Sequence, residues 1–440
     1  MMMLRTLFPL VAGLDNGLGD TPLLWWSSWN YFGRNVSEQL ILQMAQALVD
    51  TGLAKLGYRT VSIDGDYLLH ERDPSSGRLQ VDPAKFPRGI RPIADALHEM
   101  GLKLGAYTDV SGKSCCTGPG SLKHYRQDAS TFAADWQIDF LKVDFCGAYG
   151  GAGSVSVEPV AQFAAFAALR DELNATGRPI WLYLCPHRPG MGYHGLSYAP
   201  PAEWTATQRH ALANSLLVEY KNIYDEWSTG APGPRGSAGL ITNIDALLQL
   251  TSLGYSARGS WNDGDMLVTC NFGRGQIPGA GMTLNEYRVQ YAVWSILASP
   301  LGLSADLRNL KAQHPQCLQL LLNEDIVDVN QDAAARPPRL LYQKPPANAS
   351  FLAVREQAFA RPLSGGRVAL LMLNRGDETI TMRVGWALLP EIGAGARLLV
   401  RDAIAQRDAG ELIAHQGGTF NATVASHDVS FVVFRPATRR

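Results

Sequence analysis

The chain predicts an α/β fold: a (β/α)8 TIM barrel followed by a C-terminal antiparallel β-sandwich. Three observations predict it. Between Leu23 and Leu322, short apolar runs alternate about eight times with segments of helical periodicity. After Gln331 the helical period fades and short alternating runs replace it. Carboxylates also recur where the apolar runs end, at Asp64 (with Asp66), Asp109, Asp144, Asp225, Asp263 and Asp265. That is the edge of a (β/α)8 barrel where chemistry sits.

Taken in order, Leu23–Trp29 is an apolar, aromatic strand. Ser37–Thr51 is a helix, because Leu40, Ile41, Met44, Ala45 and Leu48 share one face and Ser37 suits an N-cap. Tyr58–Asp64 is a β-rich run, Gly89–Met100 a helix, Lys103–Thr108 a strand and Ala129–Trp136 a helix. Phe140–Asp144 is the fourth strand. Pro159–Thr176 is an Ala-rich helix whose proline fits a first helical position. Ile180–Leu184 and Leu216–Tyr220 follow as strands, then helix Ile241–Tyr255, strand end Ser260–Met266, helix Leu284–Ala298, short strand Leu301–Ser304 and helix His314–Leu322. The Gly/Pro/Ser stretch Ser228–Gly239 reads as an insertion at the barrel top. No Gly-rich phosphate loop follows the first strand, which argues against an open doubly wound sheet.

Ala334-Ala-Arg-Pro-Pro338 reads as a linker. Phe351–Val354, Arg367–Leu373, Thr379–Val384, Ala396–Val400 and Val429–Phe434 then read as sandwich strands. The expected domains are 1–13, a candidate signal peptide; 14–333, the barrel; and 334–440, the sandwich.

The bulk properties narrow the function. The 440 residues are 46% hydrophobic and 18% charged, which is enough for a large core, and the net charge is −1. Without a basic stripe, nucleic acid and anionic membranes are poor partners. No apolar run reaches the ~18 residues of a membrane span. Met1–Arg5 followed by a mostly apolar Thr6–Gly13 has the shape of a short secretory leader. Sequons at Asn35, Asn174, Asn348 and Asn421 fit the same route. The six cysteines show no metal-ligand spacing, so one or two disulfides in an oxidising compartment are expected.

The most informative segment is Phe140-Leu-Lys-Val-Asp-Phe-Cys146. Strand alternation puts Lys142 and Asp144 on one face. Lys142 is expected to hold Asp144 ionised, as a covalent catalyst requires. The competing reading is a structural ion pair. Trp25, Trp26, Trp29, Tyr107 and Trp261 accompany the carboxylates. Carboxylates accept hydrogen bonds from hydroxyls and aromatic rings stack on a pyranose, so the ensemble suits a sugar. Taken singly, Asp109 and Asp263 read equally well as helix N-caps, and Trp261 as core.

These segments resemble glycoside hydrolase family 27, the α-galactosidase and α-N-acetylgalactosaminidase family. The resemblance runs through Leu14-Asp-Asn-Gly17, Trp26-Ser-Ser-Trp-Asn30, Thr51 to Tyr58, Gly101-Leu-Lys-Leu-Gly105, Pro119-Gly-Ser121, Phe140 to Cys146, Trp261 to Leu267, Ser304 to Arg308 and Val329-Asn-Gln-Asp332. It implies a retaining exo-glycosidase working through a covalent glycosyl-enzyme, with two carboxyls about 5 Å apart. Asp144 matches the nucleophile. Lys221 and Asp225 match the spacing of a basic sugar contact and the acid/base, with Glu219 and Glu226 as rivals to Asp225. Trp29, Asp64, Tyr107 and Asp265 match sugar contacts, and Cys115 with Cys146 a disulfide at the rim, Cys116 being a rival for Cys115.

Three departures accompany the match. Gly65 and then Asp66 stand where the family has a second adjacent aspartate for O4 and O6. Pro186 stands where a specificity residue follows the cysteine. Lys221 replaces an arginine.

The resemblance implies an α-galactosidase acting on a carbohydrate substrate, with no metal and no organic cofactor. It also implies a secreted or lysosomal/vacuolar location and a candidate homodimer through the C-terminal domain. Two alternatives stand beside it. One is a sibling activity: α-N-acetylgalactosaminidase, β-L-arabinopyranosidase or an isomaltosyl-releasing enzyme. The other is a non-catalytic carbohydrate-binding homologue.

Overall fold

A computed structural model of the chain describes residues 16–116, 118–145, 155, 159–186, 205–217, 223–227, 239–252, 256–276, 279–345 and 354–437. Eight short strands form one parallel sheet. They are β1 (Leu24–Ser27), β2 (Thr60–Ser62), β3 (Lys103–Asp109), β4 (Phe140–Asp144), β5 (Trp181–Leu184), β6 (Ser215–Leu217), β7 (Trp261–Asp263) and β8 (Leu301–Leu303). Their spatial order is β7-β6-β5-β4-β3-β2-β1-β8. The sheet therefore curls in chain order, with β8 returning beside β1.

Among the described residues, β7 and β8 are joined by a single parallel bridge, Leu267 with Leu303, rather than by a ladder. Leu267 N–H donates to Gly302 O at 2.7 Å there. The expected ring is thus an eight-stranded curled sheet with a thin seam. The cause is local. β7 is only three residues long, and the chain leaves it through a left-handed residue, Asp265 at φ 80°, before it reaches Leu267.

Alternation along the strands separates two sets of side chains. Trp26, Val61, Leu104, Leu141, Val143, Leu182 and Leu184 join the large core beneath the helices. The residues between them, Trp25, Phe140, Trp181, Tyr183 and Trp261, form a second cluster inside the curl. The Trp25 and Phe140 ring centroids lie 4.8 Å apart. Glycine makes room for this aromatic floor: a Cβ on Gly302 would stand 2.5 Å from Trp25 Nε1, and one on Gly105 2.7 Å from Phe140 Cδ1. Along β4 the inner positions therefore run Phe140, Lys142, Asp144, from packed floor to open mouth.

Ser37 caps helix Glu38–Thr51 as expected, its Oγ accepting Leu40 N–H at 3.3 Å. Some expected elements shift. The first strand stops at Ser27, and Trp29–Phe32 is a short helix. The Ala129–Trp136 helix is instead helix Tyr125–Ser130 followed by a π-helical turn, Thr131–Asp135. Helices Leu310–Gln313 and Glu324–Asn330 flank the expected last helix, which spans Pro315–Leu321. The Ser228–Gly239 insertion lies outside the described residues except for its final glycine.

The C-terminal part is antiparallel. A six-stranded sheet has the order β14 (Arg407–Ile413), β13 (Arg397–Asp402), β16 (Asp428–Pro436), β11 (Val368–Asn374), β10 (Glu356–Pro362), β9 (Arg339–Lys344). A two-stranded sheet pairs β12 (Ile380–Gly385) with β15 (Thr419–Val424). β11 is apolar on both faces because both are covered. Val368, Leu370 and Met372 meet Met382, Val384 and Val424 of the small sheet, whereas Ala369, Leu371 and Leu373 belong to the large core. Arg361 fixes the junction by donating from Nη1 to Val329 O at 2.6 Å, at the end of helix Glu324–Asn330.

The sequence reading misses β9, β10, β14 and β15. Of its Phe351–Val354 strand, residues 351–353 lie outside the described residues and Val354 is in no strand. A disulfide joins Cys270 to Cys317 across 47 residues, a pairing the reading does not single out.

Candidate active site

The inner-face positions at the C-terminal ends of β1 to β4 converge on one cluster. Asp64, just past β2, is 1% exposed. Its carboxylate accepts from Lys142 Nζ at 3.0 Å and from Ser27 Oγ at 3.4 Å, and its N–H donates to Ser28 Oγ at 3.0 Å. Lys142 therefore pairs with Asp64, which corrects the expectation of a Lys142–Asp144 ion pair. The reason is reach. Asp144 is two residues further up the same strand, whereas the long lysine side chain crosses β3 to the end of β2. Its ammonium also lies 5.5 Å from the Tyr107 ring centroid and 5.9 Å from that of Trp29. Burial disfavours the ammonium, but the charges of Asp64 and then Asp144 outweigh it, so the Lys142 pKa is raised and the cation is secure.

Asp144, 8% exposed, tops the inner face of β4. Tyr107 OH donates to its Oδ2 at 2.8 Å. The Cys185 thiol, just past β5, also donates to it. Burial and then the Asp144 charge push both groups well above their usual range, so each remains a neutral donor. Cys115 Sγ lies 3.2 Å from Oδ2; Cys115 is disulfide-bonded, so its sulfur has no proton and the approach is a contact only. Its expected partner, Cys146, lies outside the described residues.

Asp265 belongs to the same electrostatic group. Its carboxylate accepts Met266 N–H at 2.6 Å and Ile223 N–H at 3.0 Å. Burial pushes its pKa up to about 7, against those two N–H groups and the Lys142 charge. Asp263 beneath it accepts Asp265 N–H at 2.8 Å and is driven well above its usual range by burial and then by the Asp265 charge.

Gly65 has a structural explanation. A Cβ there would lie 2.4 Å from Cys116 Sγ and 2.9 Å from Cys116 Cβ. Cys116 thus occupies the space of a side chain at residue 65. Burial, then the charges of Asp64 and Asp144, raise its pKa to about 12, so this wall of the site is a neutral thiol.

The described hydrogen bonds of Asp66 and Asp225 run to groups outside this cluster. Asp66, at φ 70°, pairs with Lys85 Nζ at 2.7 Å. Asp225 is bound to Gly273 N–H at 2.5 Å and Tyr287 OH at 2.9 Å. Lys221 lies outside the described residues, as does Glu219. Glu226 is half-buried, which raises its pKa. Pro186 is buried past β5. The sequence reading gives Ser27, Ser28 and Cys185 no role in the site, and Cys116 one only as the rival of Cys115 in the rim disulfide. The serine pair at the end of β1 was visible in the sequence, but nothing there marks the Cys116 and Cys185 thiols as walls or donors of the site. Among the described residues, no group of three or more His, Cys, Asp or Glu side chains could hold a metal ion, and no helix is long and apolar enough to cross a membrane.

Comparison with known proteins adds to this geometry. A family profile described as alpha galactosidase A matches residues 29–332, and one described as the alpha galactosidase C-terminal beta sandwich domain matches residues 356–434. The chain is 34% identical over 425 residues to alpha-galactosidase 3 of Arabidopsis thaliana, covering 97% of this chain and 84% of that protein. It is also 34% identical over 379 residues to human alpha-galactosidase A, covering 84% and 77%. The crystal structure of alpha-galactosidase I from Mortierella vinacea superposes with a TM-score of 0.80 at 30% identity, covering 97% of this chain and 100% of that one.

Proposed function

Since the chain belongs to the melibiase family of glycoside hydrolases, family 27, we propose that it is a retaining exo-α-galactosidase whose nucleophile is Asp144. The observation that carries this reading is the environment of the Asp144 carboxylate. It stands at the mouth of the curl on an aromatic floor, held by two neutral donors, Tyr107 and Cys185, while the strong cation beside it is engaged by Asp64.

An oxygen of Asp144 attacks the anomeric carbon, a carbon–oxygen bond forms, and the glycosidic bond breaks as its oxygen takes a proton. Water then displaces Asp144 and releases the sugar with its configuration retained. Asp64, fixed by Lys142 and Ser27, is an acceptor for sugar hydroxyls, and Trp29 offers a half-exposed ring at the rim.

The reading extends to a closed (β/α)8 barrel over 14–333 and a β-sandwich over 334–440. It also extends to passage through the secretory pathway and a homodimer through the C-terminal domain. The exposed sequons Asn35, Asn174 and Asn421 support the secretory route.

One observation favours a second reading, a sibling activity on a different sugar. The wall next to Asp64 is the thiol of Cys116, which accepts hydrogen bonds only weakly.

The test is turnover of an aryl α-galactoside followed by NMR of the first-formed sugar. The expected product is the α-anomer, and Asp144→Ala is expected to lower kcat at least 10⁴-fold with the fold intact, azide restoring turnover as β-galactosyl azide. Wild-type protein that binds galactose but hydrolyses no glycoside would replace this reading with the non-catalytic one.

A further inference from the structure

We infer that Asp225 is a positioning residue: it clamps the loop after Cys270 against the rim that carries Trp29, and it is not the proton donor to the glycosidic oxygen. A general acid must come within hydrogen-bond reach of the reacting oxygen. Asp225 is 0% exposed. Its Oδ2 is spent on Gly273 N–H and Tyr287 OH, and its Oδ1 is buried with no hydrogen-bond partner among the described residues. The charges that bear most on it are those of Glu226 and Glu286, not those of the Asp64–Lys142–Asp144 cluster.

The backbone around Asp225 is built for a clamp. Its carbonyl accepts Gly281 N–H at 2.9 Å. Gly279 packs so closely that a Cβ there would stand 2.3 Å from the same carbonyl oxygen. Tyr287, from helix Leu284–Ile296, donates to Asp225 and accepts Phe272 N–H at 2.6 Å and Met282 N–H at 3.4 Å. Both ends of the loop are thus tied to one carboxylate–phenol pair.

From this neck the loop reaches the rim. Gln276 N–H donates to Asn30 O at 3.0 Å and to Tyr31 O at 3.1 Å. Gly275 lies so near that a Cβ would be 2.7 Å from Tyr31 Cα. Asn30 and Tyr31 belong to the four-residue helix that begins with Trp29, the residue facing the Lys142 ammonium. Asp225 acts on the sugar site through this chain of backbone contacts.

The inference rests on the Asp144 reading only for the choice of ligand. Asp225→Asn keeps an acceptor oxygen but cannot deliver a proton in the manner of an acid, whereas Asp225→Ala removes the clamp. A clamp predicts that Asp225→Asn stays within about threefold of wild type in galactose Kd and in kcat, while Asp225→Ala and Tyr287→Phe raise Kd about tenfold with a smaller change in kcat. An acid/base predicts the reverse: Asp225→Asn loses 100-fold or more in kcat on substrates with poor leaving groups, azide speeds turnover of an activated aryl galactoside by attacking the glycosyl-enzyme, and Kd holds. That result overturns the inference. Hydrogen exchange at the Gly273 and Gly281 amides reads the clamp without a substrate. Lost protection in Asp225→Ala and kept protection in Asp225→Asn supports it, and unchanged protection in both overturns it. Wild-type protein that neither binds galactose nor hydrolyses a galactoside would sink the proposed activity and leave the exchange result decisive for the clamp.

Discussion

Replacing Gly65 by alanine tests whether the site wall is built around Cys116. The added Cβ would stand 2.4 Å from Cys116 Sγ and 2.9 Å from its Cβ. Ordinary contact is about 3.5–4 Å, so the overlap exceeds 1 Å. Cys116 is 2% exposed and follows the disulfide-bonded Cys115, so it has little room to retreat. Overpacking of this kind costs about 1–3 kcal/mol, and the depth of overlap places Gly65→Ala near 3 kcal/mol. Removing the obstacle should restore the loss: in Gly65→Ala/Cys116→Gly the two changes are expected to couple favourably by at least about 1 kcal/mol. Urea denaturation of the four proteins in the cycle measures the coupling, and aryl-glycoside kinetics report the site. A Gly65→Ala cost below about 0.5 kcal/mol, or no relief from Cys116→Gly, would refute the packing argument.

Two further perturbations address charge and cross-linking. Burial holds the Asp265 pKa at about 7 against an ordinary 3.8, so this group stabilises the fold below pH ~4 and the contribution is lost as pH rises towards 7. The full span is about 4 kcal/mol, and Asp265→Asn is expected to flatten the fall in unfolding free energy between pH 5 and 7.5; an unchanged slope would count against it. Reducing or deleting Cys270–Cys317 frees a 47-residue span and should cost about 4 kcal/mol, read from urea midpoints of Cys270→Ala/Cys317→Ala beside wild type.

The parallel strands were legible because burial on both faces leaves apolar runs too dense to miss, as in Phe140–Asp144 and Val368–Leu373. Their ends were less so. Trp29 looks like strand by composition, yet it turns into a helix because Ser27 Oγ takes its N–H at 3.2 Å and ends the ladder. The missed strands β14 and β15 fail for the opposite reason. β14 is exposed at nearly every position, so no alternation of apolar and polar residues marks it. β9, largely half-buried on the edge of its sheet, gives a similarly weak signal. Arg361 is a charged residue in a buried strand, which reads as a defect until helix Glu324–Asn330 presents its last carbonyls to it.

The same physics divides the candidate site. Residues carried on strands were readable, because a period of two fixes which side chains share the inner face, and Asp64, Tyr107, Lys142 and Asp144 do meet there. Pairing within that set was not readable. Spacing along β4 suggests Lys142 with Asp144, but a lysine spans more than the distance between strands, and the carboxylate two strands away wins it. Loop residues were harder still. Asp225 has the right residue type and a pKa raised to about 6, chiefly by burial, both of which suit an acid. Its partners come from the segment after Cys270 and from helix Leu284–Ile296, nearly 50 residues or more downstream, and no local spacing announces them. A raised pKa marks burial, and burial marks a catalytic acid only where the carboxyl also faces the reacting bond. For Asp225 the described hydrogen bonds run to Gly273 and Tyr287 and none to the Asp64–Lys142–Asp144 cluster, which is the observation that residue type and pKa leave out.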